Sequence, residues 1–336
     1  MNRAALVADS GDFRPAGWLQ NRHLQSIYPS LPLRRGGVAG RCRALLEASS
    51  PEVIDCGHGV RLLAHRATQQ QIGRPPATRI AVLVHGWEGS ADSLYMLSLG
   101  HLLLERGYEV VRLNLRDHGD SHHLNLELFH SCRIAEVVGA VQRIQRLAPA
   151  QGLSLAGFSL GGNFCLRVAA RAREAGLHLE HVIAVCPVLD PEHTLRRLEE
   201  GWVLYRRYFI WKWRRSLRKK QAAWPGHYDL GAALRLGTLT EMTEHLVCTY
   251  GGFPSLLDYL HGYAIVGDAL AGIVHPSRII AAADDPIIAA SDLGRLARPA
   301  ALEITCTEFG GHCGFVESGS RTTWLEREVL ATLERG

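Results

Sequence analysis

Residues 152–163 read GLSLAGFSLGGN, a short apolar run that leads into a glycine-rich turn and then a helical segment. Within this stretch, residues 157–161 match the pattern G-x-S-x-G, with Ser159 at the bend between strand and helix. Such a bend strains the serine backbone, and glycines on either side remove side chains that would clash there. The free N–H groups at the start of the helix favour developing negative charge. The stretch predicts a nucleophilic Ser159, although a plain Gly-rich turn with a capping serine also fits these five letters.

The rest of the chain repeats this alternation of buried strands and amphipathic helices. Residues 80–84 (IAVLV) form a continuous apolar run, as expected of a strand that is covered on both faces. Residues 131–147 instead carry apolar side chains on one face of a helix, at Ile134, Val137, Val138, Val141 and Ile144. The alternation predicts an α/β fold with a mainly parallel, doubly wound sheet. Further strands are predicted at 108–115, 152–158, 181–186, 277–283 and 301–306, and a closing helix within 320–334.

A nucleophilic serine needs a base, and the base needs an acid that holds its tautomer. When the serine lies on a strand-to-helix elbow, the acid and then the base follow it along the chain, on loops after later strands. Asp285 follows the predicted strand 277–283, and His312 follows 301–306 in a turn rich in glycine. We therefore predict Asp285 as the acid and His312 as the base.

Each of these two assignments has an alternative. Asp284 is the neighbour of Asp285, but Pro286 fixes the turn directly after Asp285, which favours the latter. Asp190 would supply the acid from one strand earlier, because it follows the strand predicted at 181–186. Most of the 17 histidines must be structural, and His312 could be one that simply lies in a Gly-rich turn.

An acyl-transfer site also needs two preorganised N–H donors for the oxyanion. One is expected from Leu160, the residue directly after the nucleophile. The other is expected from the loop after strand 80–84, which reads HGWEGS over residues 85–90, and we choose the Trp87 amide. An ordinary turn at the end of a strand is the alternative for this loop.

Composition excludes several classes of protein. The chain has 336 residues, 47% of them hydrophobic, and a formal net charge of +4, which argues against a nucleic-acid-binding protein. The N-terminal stretch lacks the apolar core of a signal peptide, since Asp9 and Asp12 arrive early, and no run of about 18 apolar residues occurs. We therefore expect a cytoplasmic protein without a spanning helix.

The cysteines and histidines predict neither a metal site nor a cofactor. None of the eight cysteines belongs to a C-x-x-C pair, which favours reduced, mostly buried thiols. Residues 117–123 (DHGDSHH) contain suitable ligands, but a loop after a strand does not place His118 and His122 on one helix face. We interpret this loop as a polar rim of the catalytic pocket, and Cys313, beside His312, as a packing residue.

The interval of about 190–270 interrupts the strand–helix alternation. We interpret it as a helical cap inserted into a single α/β domain of residues 1–336, preceded by an N-terminal arm of residues 1–50. Within the cap, residues 201–228 contain no acid and interleave basic with aromatic side chains. The simpler interpretation is a lid helix with its aromatic side chains on the core and its arginines in solvent. The alternative is a peripheral membrane contact through 201–228 that meets anionic lipid or admits acidic or long-chain substrates.

Five motifs resemble those of the YheT-like α/β-hydrolases, a bacterial branch related to eukaryotic abhydrolase-domain lipases. They comprise an N-terminal arm, an oxyanion loop, an elbow, an acid turn and a histidine turn, at residues 21–31 (NRHLQSIYPSL), 85–90 (HGWEGS), 157–163 (GFSLGGN), 284–286 (DDP) and 311–315 (GHCGF). The resemblance covers nearly the whole chain. It implies the α/β-hydrolase fold and esterase- or lipase-like activity without a cofactor. Residues 116–119 (RDHG) depart from the R-G-type sequence of many members, which leaves the substrate open.

The resulting hypothesis is a serine hydrolase that cleaves carboxylic esters through an acyl-enzyme intermediate. Its substrate would be a small-molecule or lipid ester, and its activity should fall at acid pH as His312 becomes protonated. Two alternatives remain. One is a lipid-directed acylhydrolase that acts at a membrane surface, and the other is a non-catalytic ligand-binding protein on the same scaffold.

Overall fold

A computed structural model of the protein describes residues 13–30, 37–38, 40–317 and 322–335. The first twelve residues of the predicted arm and Leu31 of the first motif lie outside this range. Within the described residues, eight strands form one sheet. Their bounds are β1 (Ser49–Asp55), β2 (Arg61–Ala67), β3 (Arg79–Val84), β4 (Glu109–Leu113), β5 (Gly152–Phe158), β6 (His181–Val185), β7 (Ser277–Ala282) and β8 (Leu302–Thr307).

The sheet has the order β1-β2-β4-β3-β5-β6-β7-β8. The six strands from β4 to β8 pair in parallel, with Val82 of β3 opposite Val111 of β4 and Leu155 of β5. β2 pairs antiparallel with β4, and β1 pairs antiparallel with β2. The prediction of a mainly parallel sheet is therefore confirmed, and its six parallel strands lie within one or two residues of the predicted positions.

Helices cover both faces of the sheet, as parallel strands require. The first two precede the sheet, and α6 to α10 lie between β6 and β7, inside the interval assigned to the cap. Their bounds are α1 (Arg22–Ile27), α2 (Arg43–Ala48), α3 (Leu94–Glu105), α4 (Ile134–Leu147), α5 (Leu160–Arg171), α6 (Pro191–Glu200), α7 (Val203–Ala223), α8 (Gly231–Arg235), α9 (Leu239–Thr249), α10 (Leu256–His261) and α11 (Trp324–Leu333).

The core consists of two apolar layers, one on each face of the sheet. Alternate residues of β3 enter opposite layers because successive side chains of a strand point to opposite faces. Val82 belongs to the same apolar layer as α4 and α5, whereas Leu83 belongs to the layer of α3 and α11. This arrangement holds the carboxyl ends of the parallel strands at one edge, where ligands bind in open α/β sheets.

The antiparallel pair β1–β2 was not predicted. Within β1 only Ile54 is buried, whereas β2 mixes buried with half-buried residues, and Pro51 stands inside β1. Proline is tolerated there because β1 is an edge strand. Neither strand has the continuous apolar run that predicted the parallel strands.

Candidate active site

Ser159 lies on the bend between β5 and α5 with φ +52° and ψ −118°. Few non-glycine residues adopt such a positive φ, and functional sites are where this strain is found. The two flanking glycines are required by packing: a Cβ at Gly161 would overlap the Val84 carbonyl, and one at Gly157 would overlap the Gly161 carbonyl. The local sequence thus dictates the elbow that the pattern predicted.

Asp285 and His312 meet on neighbouring turns after β7 and β8. His312 Nδ1 lies 2.8 Å from Asp285 Oδ2, and Asp285 is 4% exposed. The other oxygen, Oδ1, accepts hydrogen bonds from the amides of Ile287 at 2.7 Å and Ile288 at 2.9 Å. The carboxylate is therefore fixed from both sides, and the ring of His312 is held through one nitrogen.

The two rival aspartates have other partners. Asp284 Oδ1 accepts a hydrogen bond from the Gly311 amide at 2.8 Å, so this residue supports the turn rather than the His312 ring. Asp190 caps α6 by accepting from the His193 amide, and its other oxygen pairs with Arg295 at 2.5 Å. Of the three carboxylates considered, only Asp285 contacts the imidazole.

The charge state of His312 depends on this environment. Burial by itself lowers the pKa of His312, but the Asp285 carboxylate, the negative charge of a Cys313 thiolate and the hydrogen bond to Asp285 outweigh burial and raise that pKa to about 9. A histidine with a raised pKa is protonated at neutral pH and becomes a base only at higher pH. The pH below which activity is expected to fall therefore moves from the ordinary histidine range to alkaline pH.

Ser159 and His312 both line one cavity of about 1000 Å³. No direct hydrogen bond joins their side chains in the part of the chain that the structure describes. Asp285 occupies Nδ1 of His312, so Nε2 is the ring nitrogen that remains for another partner. Distances between catalytic groups are often long before a substrate binds.

The predicted oxyanion loop lies against the nucleophile. A Cβ built on Gly86 would be 3.2 Å from Ser159 Cβ. In the described part of the chain, neither the Trp87 amide nor the Leu160 amide donates to a protein acceptor. The indole of Trp87 stacks on Phe209 of α7 with ring centroids 5.2 Å apart, and Trp213 packs against its edge.

Two side chains hold this loop in place. His85 Nδ1 lies 2.7 Å from the Gly86 carbonyl, and the Leu115 amide donates to His85 Nε2 at 3.2 Å. The second bond makes Nε2 an acceptor, so the proton lies on Nδ1 and is donated to Gly86. The Gly86 amide in turn donates to the Tyr95 hydroxyl at 3.1 Å. Tyr95 was not identified from the sequence, because it lies ten residues after His85 with no motif around it.

The loop 117–123 is a packed polar junction. Lys220 of α7 is 1% exposed and donates to Asp117 Oδ1 at 2.8 Å and to the carbonyls of Asn125 and Glu127. His122 bonds to Ser216 of the same helix at 2.9 Å. The loop forms no group of three potential metal ligands among the described residues. The predicted polar rim lines the cavity through Asp117 and His118, and it also anchors α7.

One group of potential ligands was not predicted. The ligand atoms of Cys186, His312 and Cys313 lie within 4.8 Å of one another, and the Cys313 amide donates to Cys186 Sγ at 3.4 Å. Cys186 directly follows β6. Nothing in the sequence relates it to Cys313, since 127 positions separate them.

The outer wall of the cavity is formed by α7. Leu204, Tyr208 and Trp211 line the mouth of the cavity and are 47%, 48% and 57% exposed, respectively. Lys212 and Arg215 lie among them, and Lys212 Nζ donates to the Glu88 carbonyl at 2.6 Å. The predicted lid helix therefore keeps part of its aromatic side chains in solvent, which the simpler interpretation did not expect.

The sequence is similar to a known family model and to one curated relative. The family model of the α/β hydrolase fold matches residues 82–223. The chain is 25% identical over 331 residues to the putative esterase YheT of Escherichia coli strain K12, covering 96% of this chain and 93% of the relative. Within the described residues, no helix is both long and apolar enough to cross a bilayer.

Solved structures share the fold at low identity. The Pyrococcus furiosus esterase Pf2001 matches with a TM-score of 0.58 and 15% identity, over 87% of this chain and 92% of that one. A bacterial membrane phospholipase A matches with a TM-score of 0.52 and 17% identity, over 93% of each chain. At these identities the likeness concerns the fold alone, which is the α/β-hydrolase fold.

Proposed function

We propose that this chain, which is similar to the putative esterase YheT and carries a match to the α/β hydrolase family model, hydrolyses carboxylic esters with Ser159 as nucleophile, His312 as base and Asp285 as orienting acid. The observation that carries the proposal is the hydrogen bond between Asp285 and His312, which lies beside the cavity that Ser159 enters from the elbow. The name of the relative, a putative esterase, favours the same chemistry.

The mechanism follows from the position of each group. His312 Nε2 takes the proton of Ser159 Oγ as that oxygen attacks the ester carbonyl. The Trp87 and Leu160 amides, which have no described protein acceptor, donate to the oxyanion. His312 then protonates the departing alkoxide, leaving an acyl-enzyme. Water, deprotonated by His312, attacks the acyl carbon and releases the carboxylic acid and free Ser159.

Asp285 has a positional and an electrostatic role in this scheme. Its Oδ2 holds Nδ1 of the ring, which leaves Nε2 for Ser159, and its charge stabilises the imidazolium formed at each step. Two backbone amides hold Oδ1, so the carboxylate does not rotate away as the charge on His312 changes.

Labelling with a fluorophosphonate probe tests the proposal, because the probe reacts only with an activated serine. Wild-type protein should become labelled and should hydrolyse p-nitrophenyl esters, and Ser159→Ala should lose both. Ser131→Ala is a matched control, since Ser131 lines the same cavity and should leave the label in place. Equal labelling of wild type and Ser159→Ala would show that another serine is the nucleophile. A folded wild type with neither labelling nor hydrolysis would favour a ligand-binding protein on this scaffold.

A second candidate, a lipid-directed acylhydrolase, is favoured by the cavity mouth. Leu204, Tyr208 and Trp211 are exposed there beside Lys212 and Arg215. Aromatic and basic side chains together suit an interface with anionic lipid. The same combination at the entrance would deliver an acyl chain from the membrane to Ser159.

Vesicles separate this candidate from a plain esterase. Vesicles containing phosphatidylglycerol should bind the protein and raise hydrolysis of long-chain esters, and Trp211→Ser should weaken both effects. Val274→Ser is the control, because Val274 is 55% exposed but lies three residues before the start of β7, at the opposite edge of the sheet. No binding, together with a sharp preference for short acyl groups, would remove the lipid-directed candidate.

A further inference from the structure

The turn that carries His312 has an unusual backbone. Gly310, Gly311, Cys313 and Phe315 all have positive φ, with values of 147°, 54°, 60° and 47°. Cys313 and Phe315 are not glycines, so their conformations are costly and persist only where the surrounding structure holds them. The elements that brace this turn therefore determine where the His312 ring lies.

Helix α1 supplies such a brace through Ser26. The Ser26 hydroxyl accepts a hydrogen bond from the His312 amide at 2.8 Å and donates to the Arg22 carbonyl at 2.7 Å. The first bond is made to the backbone of the base itself, 286 positions away along the chain. It restrains the residue whose side chain must reach both Asp285 and Ser159.

Gln25, on the same helix, holds the end of the turn. Its side chain is fully buried, donates to the Leu19 carbonyl at 2.9 Å and the Val316 carbonyl at 3.0 Å, and accepts from the Val316 amide at 2.9 Å. The contact between helix and turn is so close that a Cβ on Gly314 would overlap the Gln25 carbonyl. Gln25 and Ser26 together hold the turn at its beginning and its end.

Helix α1 also contacts the lid helix. His23 Nδ1 and the Tyr205 hydroxyl of α7 are 3.1 Å apart, and the His23 ring packs on Trp202 with centroids separated by 4.7 Å. One short helix therefore connects the histidine turn to the outer wall of the cavity.

We propose that Gln25 and Ser26 are positioning residues for the base: they act through the backbone of the histidine turn to keep the His312 ring aligned between Asp285 and Ser159. The proposal rests on the proposed function. It assigns a role to the segment NRHLQS (residues 21–26), whose helix supplies these contacts to the turn.

Steady-state kinetics of Ser26→Ala test the proposal, with Ser26→Thr as the conservative variant. Loss of the acceptor lets the turn shift, and displacement of a catalytic group by a fraction of an ångström lowers kcat by about ten-fold. KM should change little, because Ser26 does not have to touch substrate for this effect. Ser26→Thr keeps the hydroxyl and should recover most of the rate. Leu24→Ala, on the exposed side of α1, should match wild type.

Three kinetic results would overturn the proposal in an active wild type. They are an unchanged kcat in Ser26→Ala, an equal loss in Ser26→Thr, and an equal loss in Leu24→Ala. A fall in kcat that merely follows a lower folded fraction, measured by thermal unfolding, would likewise assign Ser26 a structural role only.

Hydrogen exchange by mass spectrometry gives a readout that does not depend on hydrolysis. In Ser26→Ala and in Gln25→Glu, a peptide that covers residues 308–317 should exchange faster than in wild type, while peptides from β5 remain unchanged. Unaltered protection of that peptide would refute the bracing role even if the protein proved not to be an esterase. An inactive wild type with faster exchange in the variants would instead refute only the proposed function.

Discussion

The carboxyl edge of the sheet and helix α7 form the same cavity, but they are specified in different ways. At the sheet edge, Ser159, Asp285 and His312 each lie within five residues of the end of a parallel strand, so local sequence largely determines where they lie. Helix α7 is placed by distant contacts, such as Lys220 with Asp117 and Phe209 with Trp87. The catalytic candidates can therefore be predicted from the local sequence after each strand. The shape of the cavity cannot, because it depends on contacts between distant segments.

The largest expected effect tests the sheet edge. Asp285→Asn should lower kcat by about 10⁴-fold, because an amide in that position favours the wrong tautomer of His312. Asp284→Asn is the matched control, since Asp284 contacts the Gly311 amide instead of the ring, and it should cost far less. Steady-state kinetics of both variants measure the contrast. A larger loss in Asp284→Asn would reverse the assignment of the acid.

The next largest effect is expected on the free energy of unfolding, and it tests the junction between the loop 117–123 and α7. Lys220→Met should destabilise the fold by about 3–5 kcal/mol, because it leaves the Asp117 carboxylate buried without its partner. The double variant Lys220→Met with Asp117→Asn should recover part of that loss. Urea unfolding measures the three free energies. If the single variant unfolds like wild type, the junction contributes nothing to holding α7.

The pH dependence of kcat/KM should reflect the environment of His312. Because the pKa of His312 is raised to about 9, the free enzyme gains active base as pH rises, by about ten-fold per unit between pH 6 and 8. Cys313→Ala removes one of the groups that raise this pKa and should move the acid limb to lower pH. A pH–rate profile of each protein measures the two limbs. A wild-type limb centred near 6.5 would mean that the surroundings of His312 leave its pKa unshifted.

The smallest effect should come from the aromatic contact between the two regions. Phe209→Ala removes the ring that stacks on Trp87, which is worth about 1 kcal/mol beyond the area it buries. We expect a several-fold loss of kcat/KM through a looser oxyanion loop. Tyr208→Ala, which alters the neighbouring exposed ring, should leave the chemical step nearly intact, as measured with a short-chain ester. Equal losses in the two variants would argue against a specific role for the stack.

Local patterns predicted most of the fold and the candidate site for a physical reason. A buried parallel strand must be apolar along its length, so six strands were predictable within one or two residues. The elbow was predictable because only glycine tolerates the close carbonyls around Ser159. Strands β1 and β2 were missed because they lack a continuous buried apolar run: most of β1 is exposed or half-buried, and β2 mixes buried with half-buried positions.

Local sequence patterns did not predict the contacts between distant segments of the chain. The choice between Asp284 and Asp285 depends on which carboxylate meets the imidazole, and adjacent residues of one turn point in different directions. Lys220 belongs to segment 201–228, which interleaves basic with aromatic side chains and does not indicate that one of its lysines is buried, yet Lys220 lies among three acceptors. The motif around Gln25 was visible, but its role depends on a turn almost 290 positions later.

The sequence by itself determined the order of the strands along the chain, the elbow at Ser159 and the identity of the residues able to act as acid and base. These properties follow from steric limits and hydrophobic periodicity, which act over a few residues. Only the tertiary structure decided which aspartate meets His312, how α1 braces its turn and how α7 forms the cavity wall. Those features arise from hydrogen bonds and packing between segments far apart in the chain, and such pairings leave no local signal.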